Sequence, residues 1–197
     1  DISGSSMCGV IVYRKGKVGE IGGGGKIVCE WYGRHSRNVD NHRIVELICD
    51  YYGSCKVMFE NNVGDVRNYF FRRNRGDLLC LQPDRVISKG IGRSRVRRVY
   101  GCHMSSNLKR EVEGYFVEWC DEVVEYDEFG VGIDRLSLIE SKVLLEEMLV
   151  YGPGRNCDML SAMFMVMVGL REEVEGKVYG SKESGDVVWG KISSMLE

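Results

Sequence analysis

No apolar run in the 197-residue sequence approaches the roughly 20 residues that a membrane-spanning helix requires, so a helical membrane protein is excluded. Net charge is nearly absent as well. The 27 Lys and Arg against 29 Asp and Glu leave a formal −2, and that average says nothing about binding partners. The eight cysteines, at 8, 29, 49, 55, 80, 102, 120 and 157, include no two closer than six residues, which excludes CxxC metal or redox pairs. Several sit in apolar segments such as Val28-Cys29, Ile48-Cys49 and Trp119-Cys120, where a reduced thiol acts as a small hydrophobe and an intracellular, reducing compartment is expected. His35, His42 and His103 lack zinc-ligand spacing and read as surface or hydrogen-bonding histidines. There is no initiator Met and no signal or transit pattern before Asp1-Ile2-Ser3-Gly4, as expected of a piece of a longer protein.

What is present suits one full-sized globular domain: 44% hydrophobic and 28% charged residues in 22.4 kDa. Charge is balanced but segregated. From Arg67 to Arg110 there are 12 basic residues against Asp77 and Asp84, whereas Glu111 to Glu147 holds 12 acidic residues against Arg135 and Lys142. One strongly positive region is therefore expected.

Hydrophobic spacing gives strands first. Cys8 to Tyr13 is β-branched and ends at Arg14-Lys15-Gly16-Lys17, and Lys26 to Tyr32 follows four glycines, which predicts a hairpin. Val39, Ile44, Leu47, Ile48, Tyr51 and Tyr52 recur at helical intervals, with Asn38 or Asp40 as the N-cap and Gly53 as the stop. Lys56 to Glu60 reads as a strand, Val63 to Phe70 as a helical face, and Leu78 to Leu81 as a short buried strand. Arg85 to Gly101 reads as an exposed basic hairpin or loop. Helical stripes return at Leu108 to Val123, Leu136 to Leu149 and Met159 to Leu170, the last with Met159, Met163, Met165 and Met167 as core filling. The expected fold is α/β, a mixed sheet flanked by helices, with residues 1–175 as the domain and 176–197 as a peripheral extension carrying Val187-Val188-Trp189.

Ligands on such sheets gather at the carboxyl ends of strands, which singles out three acids. Glu60 closes a strand, Asp158 opens an apolar helix, and Asp1 precedes a Ser/Gly turn. Taken singly they read as a solvated strand end, a helix N-cap (a role Asn156 also suits) and a frayed terminus. Together they suit two hard divalent cations about 3.5 to 4 Å apart, which stabilise the attacking and leaving oxygens of a phosphodiester. Asp65 is an auxiliary acid, or serves the dipole of the helix it begins.

The run YGRHSRNVDNHRIVELICDYYGSCKVMFENNVGDVRNYF, Tyr32 to Phe70, resembles the nuclease domain of the large terminase subunit of tailed bacteriophages. LLCLQPD, the basic loop, YGCHMSSNLKRE, LLEEMLVYGPGRNCD and the closing apolar helix are similar to that family in the same order. The resemblance spans about residues 1 to 172 and implies a ribonuclease H-like endonuclease that cuts concatemeric viral DNA in the host cytoplasm during genome packaging. It implies Asp1, Glu60 and Asp158 as catalytic and metal-binding residues holding two Mg²⁺ or Mn²⁺ ions. It also implies an ATPase motor domain of the same polypeptide, a small terminase subunit and a portal protein as partners, and a central strand ahead of Asp1. No G-x-x-x-x-G-K-[ST] phosphate loop is present, so the motor itself is not in this sequence.

Lys89, Arg93, Arg95, Arg97 and Arg98, followed by Tyr100, form a dense basic cluster facing no local acids. Such a cluster reads as a contact to the phosphate backbone of double-stranded DNA rather than a solvated loop. Two alternatives accompany the terminase expectation: another ribonuclease H-like nuclease of the junction-resolvase type, and a non-catalytic ribonuclease H-like module that only holds DNA.

Overall fold

A computed structural model describes residues 7–16, 25–61, 65–83, 99–178 and 187–191. The β-branched run at the start forms β1 (Cys8–Arg14), which pairs antiparallel with β2 (Lys26–Gly33) in the expected hairpin order. Helix α1 (Asn38–Tyr51) starts one residue earlier than an Asn38 cap predicts and three earlier than an Asp40 cap. Arg37 holds the cap position in an extended conformation without a side-chain cap, and Asp40 in the first turn pairs with the Arg37 guanidinium at 2.9 Å. Gly53, at φ +73°, ends the turn after α1 in the left-handed region, where a β-carbon is disfavoured.

Strand β3 (Lys56–Met58) keeps its regular ladder for only three residues, and Glu60 continues it as an isolated parallel bridge to Cys102. Helix α2 (Val66–Arg72) follows. The expected strand at Leu78 to Leu81 is instead a 3₁₀ turn, Gly76–Leu78, with single bridges from Leu79 to Val57 and from Leu81 to Tyr100. Leu78 and Leu79 are buried without a ladder, so burial and not pairing explains their apolar character.

Helix α3 (Ser106–Cys120) is capped by the Ser105 hydroxyl, which accepts from Leu108 N at 3.3 Å. Val123, expected on that helix, begins an unanticipated hairpin of β4 (Val123–Tyr126) and β5 (Gly132–Asp134). Its turn is shaped by Asp127 Oδ1, which accepts from Phe129 N and Val131 N, local chemistry that hydrophobic periodicity does not register. The helix expected from Leu136 onward is split at Ser141, which caps α4 (Lys142–Val150) and leaves Leu136–Leu138 as a 3₁₀ turn. The last helix, α5 (Asp158–Val178), starts at Asp158 as expected.

The principal sheet has the order β2-β1-β6-β3. Its β6 (Val187–Lys191) runs antiparallel to β1 and parallel to β3. This corrects the expectation for Val187-Val188-Trp189, which lies inside the sheet and not at the periphery.

Alternation along β1 feeds two cores. Cys8, Val10 and Val12 pack with Val45, Cys49, Val57, Phe59, Val66 and Phe70 on the α1–α2 face. Ile11, Tyr13 and Met58 pack with Val112, Phe116, Leu144 and the Met159 to Val168 stretch on the α3–α4–α5 face. On that face the Met159–Val168 stretch of α5 is buried at every position but Ser161, as a helix segment enclosed by sheet and helices requires. Six of the eight cysteines are buried. No helix among the described residues is long and apolar enough to cross a membrane.

One polar cluster locks α1 to α2. Glu46, 2% exposed, accepts from Arg43 at 2.8 Å, Tyr69 at 2.8 Å and Arg73 at 2.9 Å. Burial pushes its carboxyl upward, but the hydrogen bonds from Arg73, Tyr69 and Arg43 outweigh this and hold it at about 2, below its ordinary 4.5. A depressed folded pKa stabilises above the ordinary carboxylate value, and the contribution fades as pH falls from about 4.5 towards 2. Glu46→Gln is therefore expected to cost about 2 kcal/mol at pH 7, the lower end for a broken buried pair because the arginines can rehydrate. Urea denaturation should show the gap between the two proteins narrowing at pH 3; a pH-independent gap would assign the effect to packing.

Candidate functional site

The carboxyl ends of β2, β6 and β3 and the start of β1 share one end of the sheet, as their pairing directions require. The start of α5 is pressed onto this end at Gly9, where a β-carbon would lie 2.7 Å from the Asp158 carbonyl oxygen. Glycine is the residue that permits this approach. Gly9 pairs with Lys191, Met58 with Trp189, and Glu60 stands two residues beyond Met58. Gly9, Lys191 and Glu60 thus fall in one row across the sheet, and at about 4.8 Å per strand Glu60 and Gly9 are roughly 10 Å apart. Met58 belongs to the α5-side core and Phe59 to the opposite one, so alternation turns Glu60 to the α5 side.

Asp158 is 1% exposed. Its Oδ2 accepts from Met7 N at 2.7 Å and from Asn156 Nδ2 at 3.0 Å, tying the start of β1 to the start of α5. Glu60 is half-buried and held through its backbone: Cys102 N donates to Phe59 O and Asn61 N donates to Cys102 O. Asn61 Nδ2 adds a bond to Tyr100 O at 3.3 Å. Asp65 is exposed at the start of α2, accepts from Asn68 Nδ2 at 2.6 Å and places its charge near the buried His42 ring, so its partners belong to the α1–α2 layer. Burial pushes the His42 imidazole down, and the ring packs against Tyr69 in the α1–α2 layer, away from this end of the sheet.

Asp1 and the basic residues Lys89, Arg93, Arg95, Arg97 and Arg98 lie outside the described residues. The two stems of the basic segment are described. Gln82 N donates to Val99 O at 2.7 Å and Gly101 N to Cys80 O at 2.9 Å, so the segment leaves and returns on an antiparallel base beside Cys102, the residue bridged to Glu60.

Sequence reasoning passed over Glu147 and Tyr32. Glu147 is 8% exposed, and its Oε2 accepts from Leu160 N at 2.8 Å. Burial foremost, and the Asp158 charge, push its carboxyl up against the opposing pull of the α5 amides. The Tyr32 phenol, at the end of β2, is pushed up by burial and by the charges of Glu147 and Asp158. The clue in the sequence was position: Glu147 follows buried Leu144 by three residues and so shares its inward face.

The donors at this end are carboxylate oxygens, a set that fits a hard divalent cation such as Mg²⁺ or Mn²⁺ and not zinc. Among the described residues no three His, Cys, Asp or Glu side chains converge as a ready ligand set. Glu60 and Asp158 are the residues that would hold such a cation from within the described structure. No family model, curated protein or solved structure matches this chain.

Proposed function

We propose that the chain is a metal-dependent DNA endonuclease domain with a ribonuclease H-like sheet, of the kind found in the large terminase subunit of tailed phages. The observation that carries the reading is positional: Glu60 and Asp158 stand at one end of the mixed sheet on the α5 side, with both stems of the arginine-rich segment pinned beside Glu60. Its substrate is double-stranded DNA, cut in concatemeric form during viral packaging. The motor domain, small subunit and portal protein are partners on this reading, and the host cytoplasm is its location.

Glu60 and Asp158 would hold the cation, with Asp1 as the third acid of the set. A bound Mg²⁺ or Mn²⁺ pair would supply Lewis-acid stabilisation of phosphoryl charge and lower the pKa of an attacking water. Glu60 enters this site on a backbone fixed at Phe59 and Asn61, and the Asp158 carboxylate is held by Met7 N and Asn156 Nδ2, so the Glu60 backbone and the Asp158 carboxylate are placed before substrate arrives. The arginines of the basic segment grip phosphates and leave sequence unread.

A second reading is a module that holds DNA without cutting it, and the stems of the arginine-rich segment pinned at Cys80–Gly101 and Gln82–Val99 suit it equally. Nicking of supercoiled plasmid by the purified chain with Mn²⁺, and its loss with EDTA, supports the nuclease; DNA binding without nicking supports the module. Replacing Arg93, Arg95, Arg97 and Arg98 by Ala is expected to weaken binding to all sequences about equally. The slope of log affinity against log salt should become shallower by about 0.9 per lost contact. An unchanged slope moves the DNA path away from this segment.

A further inference from the structure

Glu147 belongs to α4, yet its carboxylate serves the helix that follows. The Leu160 amide donates to Oε2 at 2.8 Å, so an amide of the first turn of α5 is capped by a side chain from another helix. Such amides have no partner within their own helix and are usually capped by a residue just before it or at its start. Two residues suited to that role are present, Asn156 and Asp158. Their side chains are engaged elsewhere: Asn156 Nδ2 donates to Asp158 Oδ2, and the same oxygen accepts from Met7 N, so the Asp158 carboxylate is tied to the start of β1.

The substitution is costly. Glu147 is buried, and its carboxylate lies close enough to Asp158 for the two charges to oppose each other. Local caps would serve α5 without that penalty, so helix stability alone does not account for Glu147. The exchange changes the direction of the Asp158 side chain. A carboxylate folded back onto its own first turn cannot also reach the sheet end beside Gly9, where Glu60 shares the row.

We propose that Glu147 is a positioning residue: by capping α5 in place of Asp158, it keeps the Asp158 carboxylate turned to the sheet end, where that carboxylate would bind a divalent cation. The proposal rests on the nuclease reading for the cation and not for the capping geometry. Groups that orient a ligand are typically worth 10- to 100-fold in metal affinity, which sets the scale of the test.

The test uses the full 197-residue chain, titrated with Mn²⁺ by calorimetry, and amide hydrogen exchange on the metal-free protein. Glu147→Gln keeps an amide oxygen to accept the same N–H groups and is expected to bind Mn²⁺ within about threefold of the parent, a rescue that a ligand carboxylate would not allow. Glu147→Asp keeps the charge but falls one methylene short, and it should weaken Mn²⁺ binding by about tenfold or more, as should Glu147→Ala. Exchange at the amides of residues 158–160 should speed up in the Asp and Ala variants and hold in the Gln variant. If Glu147→Ala does not fold, the Gln and Asp variants decide. Mn²⁺ affinity unchanged in Glu147→Asp despite faster exchange would reduce Glu147 to a plain cap, and equal losses in the Gln and Asp variants would make it a ligand; either overturns the proposal, as does a parent that binds no Mn²⁺. The parent's DNA cleavage is scored separately. Weakened Mn²⁺ binding in Glu147→Asp with no cleavage by the parent leaves positioning intact and removes the nuclease, whereas cleavage with normal Mn²⁺ binding in that variant does the reverse.

Discussion

Asp158→Asn and Glu60→Gln, made singly, are each expected to lower Mn²⁺-dependent nicking of plasmid DNA by about a thousandfold or more, while the thermal midpoint stays within a few degrees of the parent. A thousandfold loss corresponds to about 4 kcal/mol of transition-state stabilisation, the scale of metal-assisted charge neutralisation. The fold should tolerate both changes for different reasons. At position 158 an amide oxygen can still accept from Met7 N, so the tether between β1 and α5 survives. Burial is the main reason that the Glu147 carboxyl is pushed up, and removing the Asp158 charge takes away a smaller, repulsive contribution, so Asp158→Asn loses no favourable charge contact with Glu147. Glu60 contributes to the sheet through its backbone bridge to Cys102, which Gln preserves. Cleavage by either variant at near the parent rate would remove that residue from the site, and a cooperative loss of structure in Asp158→Asn would return it to a purely structural tether. Comparing nicking rates and melting curves of the three proteins separates these outcomes.

The second large effect concerns β6. Ending the chain after residue 186 removes the strand that pairs with β1 on one side and β3 on the other. Strand β3, three residues long, keeps only the single bridge from Val57 to Leu79, and β1 is left with β2 alone. A two-stranded antiparallel pair has little stability in water without further strands or packing. The truncated chain should therefore lose its cooperative thermal transition and its near-ultraviolet circular dichroism. A truncated chain that still melts cooperatively near the parent midpoint would show that β1 and β3 close up without β6.

That strand marks where the sequence was hardest to read. Cys8 to Tyr13 and Lys26 to Tyr32 announce themselves because alternating or β-branched runs bounded by turn residues have few other outcomes. Met159 to Leu170 does so because its apolar character is continuous over several turns. Val187-Val188-Trp189 is as short and apolar as many loop-packing segments, and its place between β1 and β3 is a property of long-range pairing that local pattern does not carry. The β4–β5 hairpin was missed for the opposite reason: its strands are short, none of their residues is fully buried, and the turn around Asp127 and Gly130 defines it.

The site was legible in part. Glu60 and Asp158 were visible as acids at element boundaries, since a charged residue closing a strand or opening an apolar helix is conspicuous. Which residue capped α5 was not visible. Asn156 and Asp158 both carry the local signature of an N-cap, and the structure gives the role to Glu147, eleven residues before Asp158 and on another helix. A capping rule reads neighbours in sequence, whereas this cap depends on how α4 packs against α5.

The most direct test is the anomalous scattering of manganese in crystals of the full chain soaked in Mn²⁺. A shared cation site predicts a peak at the carboxyl end of the central sheet, bonded to oxygens of both Glu60 and Asp158 at roughly 2.0 to 2.6 Å, the range for divalent cations on oxygen ligands. Manganese absent from that end, or bound by residues that include neither Glu60 nor Asp158, would contradict the site and with it the proposed nuclease.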